Sequence, residues 1–237
     1  MYMAVVKTFA GLMKVEFEDC WIRNHLMQGV MFEEPVIRQL EPFIKRSKYV
    51  VDVGANIGCH TVSYGFFNPD ATIWAFEPQK KLFPTLVDNI QLNNLTDRVF
   101  PMNYALGHKK DTVHLQNTSA QFYEGNGTNL GGIGIGNDGE EIEMNTLDSL
   151  SLPGLGFMKI DVEGAEGLVL QGAKETIEKY KPVILFEHNS QHINPRDVGL
   201  EYVPTPFEVL TPLGYDKFFH IGTDNFIAFH KNFVHLE

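Results

Sequence analysis

The chain has 237 residues and is 43% hydrophobic, enough for one domain with a sizeable core. It carries 30 acidic against 19 basic side chains, a formal net charge of -11. That balance argues against a nucleic-acid partner, whose surface would need clustered Lys and Arg.

In chain order, residues 1–47 read as an N-terminal cap segment on a domain spanning 1–237. Val15, Phe17, Trp21 and Ile22, with Glu16 and Glu18 between, suggest short strands. Pro35 suits the first turn of a helix on which Val36, Ile37, Leu40, Phe43 and Ile44 share one face. Tyr49 to Val53 is a β-branched strand of the kind buried on both faces. Gly54 to Gly58 makes a tight turn, and a helix follows to about residue 67. That helix would aim free N–H groups and the positive end of its dipole at an anionic group in the turn. Strand, glycine turn and helix form the first unit of a nucleotide-binding α/β fold.

Asn68-Pro69-Asp70 breaks the chain, and Thr72 to Phe76 is a second strand ending in Glu77-Pro78. Nucleotide folds place a ribose-binding acid at this point, and Pro78 holds Glu77 extended. Leu82, Leu86 and Ile90 space a helix. Arg98 to Met102 is a third strand, followed by Asn103-Tyr104-Ala105 and an arm at Thr112 to Leu115. From Gln116 to Gly139 the chain is polar and glycine-rich with no phosphate-loop ending, so it reads as either a substrate-covering loop or a loose excursion. Gly156 to Asp161 is a fourth strand. Ala165, Val169, Ala173 and Ile177 space the helix after it, with Glu166 read as solvated. Lys181 to Phe186 is a fifth strand, ending in Glu187-His188-Asn189. Thr205-Pro206-Phe207-Glu208 is a helix-starting capping box, and Tyr215 to Phe219 with Phe226 to His230 closes as a hairpin. The alternation implies an α/β fold whose seven-stranded sheet is mostly parallel with an antiparallel C-terminal hairpin.

Two cysteines, Cys20 and Cys59, cannot build a disulfide framework, so a reducing, cytoplasmic setting is expected. No run is apolar enough to span a membrane, and no secretory signal is visible. The polar groups at the strand ends, Asp52, Asp161, Glu163, Glu187 and His188, should share one crevice, because open α/β sheets bind ligands there. Lys159 lies inside an apolar strand, where its stem would be buried.

The glycines fail the dinucleotide register G-x-G-x-x-G, since Asn56 and Cys59 occupy two of its three places. The set Val50-Val51-Asp52-Val53-Gly54-Ala55-Asn56-Ile57-Gly58, Ala75-Phe76-Glu77-Pro78, Ala105-Leu106-Gly107, Thr146-Leu147-Asp148-Ser149-Leu150 and Met158-Lys159-Ile160-Asp161-Val162-Glu163-Gly164-Ala165-Glu166 resembles the FkbM family of S-adenosylmethionine-dependent methyltransferases. The match runs over about residues 33–189 and departs at Cys59-His60, where an aromatic is common. The resemblance implies a Rossmann-like class I methyltransferase fold and O-methylation of a hydroxyl on a sugar, glycan or polyketide-like product. It implies S-adenosylmethionine bound by Asp52, Gly54, Ala55, Asn56, Ile57, Gly58, Thr61, Glu77, Pro78, Asn103, Tyr104, Ala105 and Asp161, with S-adenosylhomocysteine as product. Asn56 and the turn amides would hold the methionine part, Glu77 the ribose, and Asn103 to Ala105 the adenine.

A sugar hydroxyl needs a base to take its proton. Asp161 is best placed and His188 has the better intrinsic pKa, with Lys159 and Glu187 completing the catalytic set. A divalent ion on Asp161 and Glu187 is the alternative to a metal-free route. A nicotinamide oxidoreductase and a non-catalytic binding module are the competing functions. A homodimer stays open.

Overall fold

The computed structural model describes residues 4–16, 18–116, 122–123, 127–189 and 193–234. The chain opens with a hairpin of β1 (Ala4–Lys7) and β2 (Leu12–Val15), then helices α1 (Cys20–Leu26) and α2 (Glu34–Ile44). The nucleotide-type half follows as β3 (Tyr49–Val53), α3 (Cys59–Phe67), β4 (Thr72–Phe76), α4 (Phe83–Leu92) and β5 (Val99–Met102). A run of short strands comes next: β6 (Ala105–Leu106), β7 (Asp111–Leu115), β8 (Phe122–Tyr123), β9 (Gly127–Thr128), β10 (Ile135–Gly136) and β11 (Glu141–Asn145). The second half is β12 (Phe157–Ile160), α5 (Glu166–Gln171), α6 (Lys174–Tyr180), β13 (Val183–Glu187), α7 (Pro206–Leu210), β14 (Tyr215–Ile221) and β15 (Asn225–His230).

The main sheet has seven strands in the order β14-β15-β13-β12-β3-β4-β5. Strands β13, β12, β3, β4 and β5 pair in parallel, and β15 joins antiparallel to both β13 and β14. The expected architecture is therefore present. Alternating residues feed two cores, which is why these strands read as continuous apolar runs. Val50, Ile73, Ala75 and Phe157 pack towards α2, α3 and α4, while Val51, Val53, Met158 and Ile160 pack towards α5, α6 and α7.

Three expectations need correction. Trp21 and Ile22 are helical rather than extended, because the Asp19 carboxylate caps α1 by accepting from their amides at 2.8 and 2.9 Å. Phe17 lies outside the described residues. The helix expected through Ala173 is two helices: Asp148 accepts from the amides of Glu175 and Thr176 at 3.1 and 2.9 Å and so starts α6 afresh. The glycine-rich stretch is not structureless throughout. Residues 117–121 and 124–126 lie outside the described residues, but β10 joins a four-stranded sheet with β7, β11 and β6, and Leu130, Ile133 and Ile135 are buried.

Asp19 is 1% exposed, and its second oxygen accepts from the Leu130 amide at 3.2 Å. One carboxylate thus starts α1 and fastens the glycine-rich segment to it. Asp19→Ala strands three backbone donors, two of them buried, and urea unfolding should show a loss of about 1–3 kcal/mol. A change below about 0.5 kcal/mol would mean that α1 holds without this cap.

Candidate active site

The carboxyl ends of β3, β4, β12 and β13 open into a cleft of about 640 Å³. Its floor is the turn after β3, with Gly54 and Asn56, and the ends of β4 and β12, with Glu77, Pro78 and Asp161. Tyr104 and Ala105 close one end. Trp21, His25 and residues 30–35 of the N-terminal segment form one wall, and Asn129 to Ile135 of the glycine-rich segment form another.

The turn is tight for a steric reason. Gly54 and Gly58 adopt φ of +77° and +95°, and a Cβ on Gly54 would stand 1.8 Å from the Asp161 carbonyl oxygen. Asn56 is also left-handed at φ 52°. The amides of residues 54–58 already have partners. Gly54 and Ala55 donate to the Phe76 carbonyl, Gly58 to Ala55, Asn56 to a Glu77 oxygen and Ile57 to the Asn56 side chain. The short glycine turn uses its own amides to hold β3 against β4. Asp52, Ala55, Ile57, Gly58, Thr61 and Asn103 lie outside the cleft lining; Gly54, Asn56, Glu77, Pro78, Tyr104, Ala105 and Asp161 form part of it.

Glu77 is 3% exposed. One oxygen accepts from Asn56 N at 2.8 Å and the other from Gln79 N at 2.9 Å. Each oxygen keeps a lone pair for a hydroxyl donor. Burial outweighs these hydrogen bonds and pushes its pKa up to about 7.

Beneath the turn, Lys159 is buried at 3% exposure. Its ammonium donates to the Gly54 carbonyl at 2.8 Å and stands 3.1 Å from Asp161 and 3.5 Å from Asp52. Burial opposes its charge, but the carboxylates of Asp161, Asp52 and Glu33 prevail and raise its pKa. Asp52 is fully buried and takes a 2.6 Å hydrogen bond from Thr61 Oγ1. Asp52 and Thr61 therefore support the turn from below.

On the far lip, carboxylate oxygens of Asp161, Glu163 and Glu187 all lie within 4.8 Å of one another, near enough to share one cation. Burial, then the charges of Asp161, Glu163, Glu166 and Glu33, push the Glu187 pKa up to about 9. Glu166 is buried at 4% rather than solvated. One of its oxygens accepts from Val162 N at 3.0 Å and Gly164 N at 3.2 Å, which fixes the turn carrying Asp161 and Glu163.

Residues 52–215 match the methyltransferase FkbM domain. The chain belongs to the FkbM methyltransferase family. It is 28% identical over 228 residues to the hexuronic acid methyltransferase AglP of Haloferax volcanii, covering 93% of this chain and 87% of that protein. The crystal structure of the methyltransferase FkbM from Methylobacillus flagellatus KT superposes with a TM-score of 0.54 at 18% identity. That alignment covers 77% of this chain but 43% of the other, so this chain spans less than half of that protein. Family membership sets aside the oxidoreductase alternative. Among the described residues, no helix is long and apolar enough to cross a membrane.

Two features of this FkbM methyltransferase differ from the sequence reading. His188 does not line the cleft. It packs edge-on against Phe207, at a centroid distance of 5.2 Å, and lines a smaller groove with Glu166 and Tyr202. Successive residues of a strand end point to opposite faces, so Glu187 and His188 cannot both turn inward. The second feature is a pair that sequence reading passed over, Glu33 and His60. His60 Nε2 lies 2.9 Å from Glu33 and its Nδ1 2.8 Å from the Tyr64 hydroxyl, while Asn225 donates to the other Glu33 oxygen at 2.9 Å. Burial works to raise the Glu33 pKa, but the hydrogen bond and charge of His60, with Lys159 and Asn225, bring it down to about 2. The break from the usual aromatic at Cys59-His60 was the available signal.

Two measurements test this electrostatic arrangement. Lys159→Met leaves Asp52 buried without its cation, and chemical unfolding should show a loss of about 3–5 kcal/mol. Adding Asp52→Asn should recover part of it, and no recovery would mean that Asp52 is not the stranded charge. For Glu187, a raised folded pKa gives stability that is full below the unfolded value of 4.5 and is lost as pH rises towards about 9. In chelator-treated buffer, the melting temperature should therefore fall between pH 5 and 9, and Glu187→Gln should flatten that fall. A slope unchanged by the substitution would place the titration elsewhere.

Proposed function

We propose that this methyltransferase uses S-adenosylmethionine to O-methylate a hydroxyl of a sugar or glycan. The observation that carries the reading is the buried Glu77 carboxylate, held open to the cleft at the end of β4 beside the glycine turn and Asp161. It has the chemistry to accept the two ribose hydroxyls. Tyr104 and Ala105 offer the adenine a flat apolar edge. The Haloferax relative, named for a hexuronic acid, supports a sugar over a polyketide-like acceptor.

When bound, the cofactor supplies a sulfonium methyl group, which the acceptor oxygen takes in line as the carbon–sulfur bond breaks. The acceptor's proton goes to the Asp161 carboxylate, whose side chain is 30% exposed on the cleft. Lys159 holds that carboxylate in place through the 3.1 Å contact. Glu187, with its pKa near 9, keeps its own proton at neutral pH unless a cation arrives. A second reading places a divalent ion on Asp161, Glu163 and Glu187, since three hard oxygen donors suit magnesium or calcium.

Calorimetry and turnover test these roles separately. Glu77→Gln removes one of two charged acceptors and should weaken cofactor binding by roughly 1.5–3 kcal/mol, about ten- to a hundredfold. Asp161→Asn should leave cofactor affinity nearly intact and lower turnover by about 10²–10⁴-fold. Near-normal turnover would remove Asp161 from the mechanism. A chelator that abolishes turnover of the unmutated enzyme, with restoration by magnesium, would favour the metal route.

A further inference from the structure

We propose that the acceptor site takes an uncharged or amino sugar and turns away a sugar acid. The inference rests on the sugar reading above and goes on to the acceptor's charge. Apart from Glu77 and Glu187, five carboxylate side chains line the cleft: Glu33, Glu34, Asp161, Glu163 and Asp224. Among the described residues, no Lys or Arg lines it. The side chains that answer these acids stand behind the wall. Lys159 reaches Asp161 from the buried side, His60 reaches Glu33 from within α3, and Arg38 reaches Glu34 from one turn further along α2. The face presented to a ligand is therefore carboxylate.

The N-terminal wall also brings apolar surface to the same opening. Trp21 is 52% exposed and Val30 40%, and Phe32 meets the His25 ring edge-on at 5.4 Å. Aromatic and aliphatic surface beside carboxylates suits a pyranose ring. Its C–H face packs on the wall while its hydroxyls donate to the acids. A hydroxyl or ammonium group finds acceptors there, and a ring carboxylate meets like charge in a partly desolvated cleft. The chain's net charge of -11 adds a long-range field of the same sign. The Haloferax relative is named for a hexuronic acid. At 28% identity, the residues lining the acceptor site are free to differ.

The test is turnover of three matched methyl glycosides, a hexoside, its 2-amino analogue and its hexuronate, in chelator-treated buffer with saturating cofactor. The hexoside and the amino sugar should exceed the hexuronate in kcat/KM by at least tenfold. Asp224→Lys, at the half-buried end of the hairpin turn, should reduce that ratio at least threefold. Trp21→Ala should raise the hexoside KM about tenfold while cofactor affinity holds. Equal or better turnover of the hexuronate overturns the charge rule and leaves the sugar reading standing. An unchanged ratio in Asp224→Lys overturns the assignment of selectivity to this wall. Cofactor binding with no methylation of any glycoside overturns the charge rule and the sugar reading together.

Discussion

The buried ammonium of Lys159 holds the site together. It reaches the Gly54 carbonyl, Asp52 and Asp161 at once, and so ties the turn after β3 to the end of β12. The two strands are paired neighbours, and the Asp161 amide donates to Val53 across them. Without the cation, two carboxylates would face each other in a poorly hydrated space. Desolvation alone would drive such a lysine to give up its proton; the surrounding acids reverse that. The close approach of Gly54 to the Asp161 carbonyl follows from the same clamp and admits no side chain.

A second set of contacts closes the cleft from above. Asp19 joins α1 to Leu130, and Gln79 donates to the Leu130 carbonyl at 3.0 Å. Gly134 packs so closely that a Cβ there would stand 2.8 Å from the Glu163 carbonyl. Glu33 meanwhile joins the N-terminal segment to β15 through Asn225. The walls are thus anchored by carboxylates that accept from backbone amides or from side-chain donors. Such bonds are costly to break, because each leaves an unsatisfied buried group.

Much of the architecture was legible in the sequence because strand burial, glycine turns and helix spacing are local signals. Val50 to Val53, the Leu82-Leu86-Ile90 spacing and the Thr205–Glu208 capping box each formed as their patterns implied. The strand-end acids Glu77, Asp161 and Glu187 met in one cleft, since parallel strands deliver their ends to one edge. What escaped depends on contacts distant in the chain. Asp148 caps a helix 27 residues on, and Asp19 accepts from an amide 111 residues away. Glu33 and His60 pair across 27 residues, and no spacing rule joins a helix start to a residue in the next helix. The side on which His188 falls was set by strand pleat, which strand-end position alone does not give.

The chemistry follows from the distribution of charge. One lysine is fixed beneath the floor, and carboxylates line the lip above it. A cationic methyl donor would enter a site short of positive charge, and a ribose would meet a carboxylate already held by two amides. The most direct test is a crystal structure of the protein with S-adenosylhomocysteine. The account requires the ribose hydroxyls within hydrogen-bond distance of Glu77 and the sulfur on the side of the cleft that carries Asp161. A ligand bound away from Glu77, or one whose sulfur points away from Asp161, would contradict it.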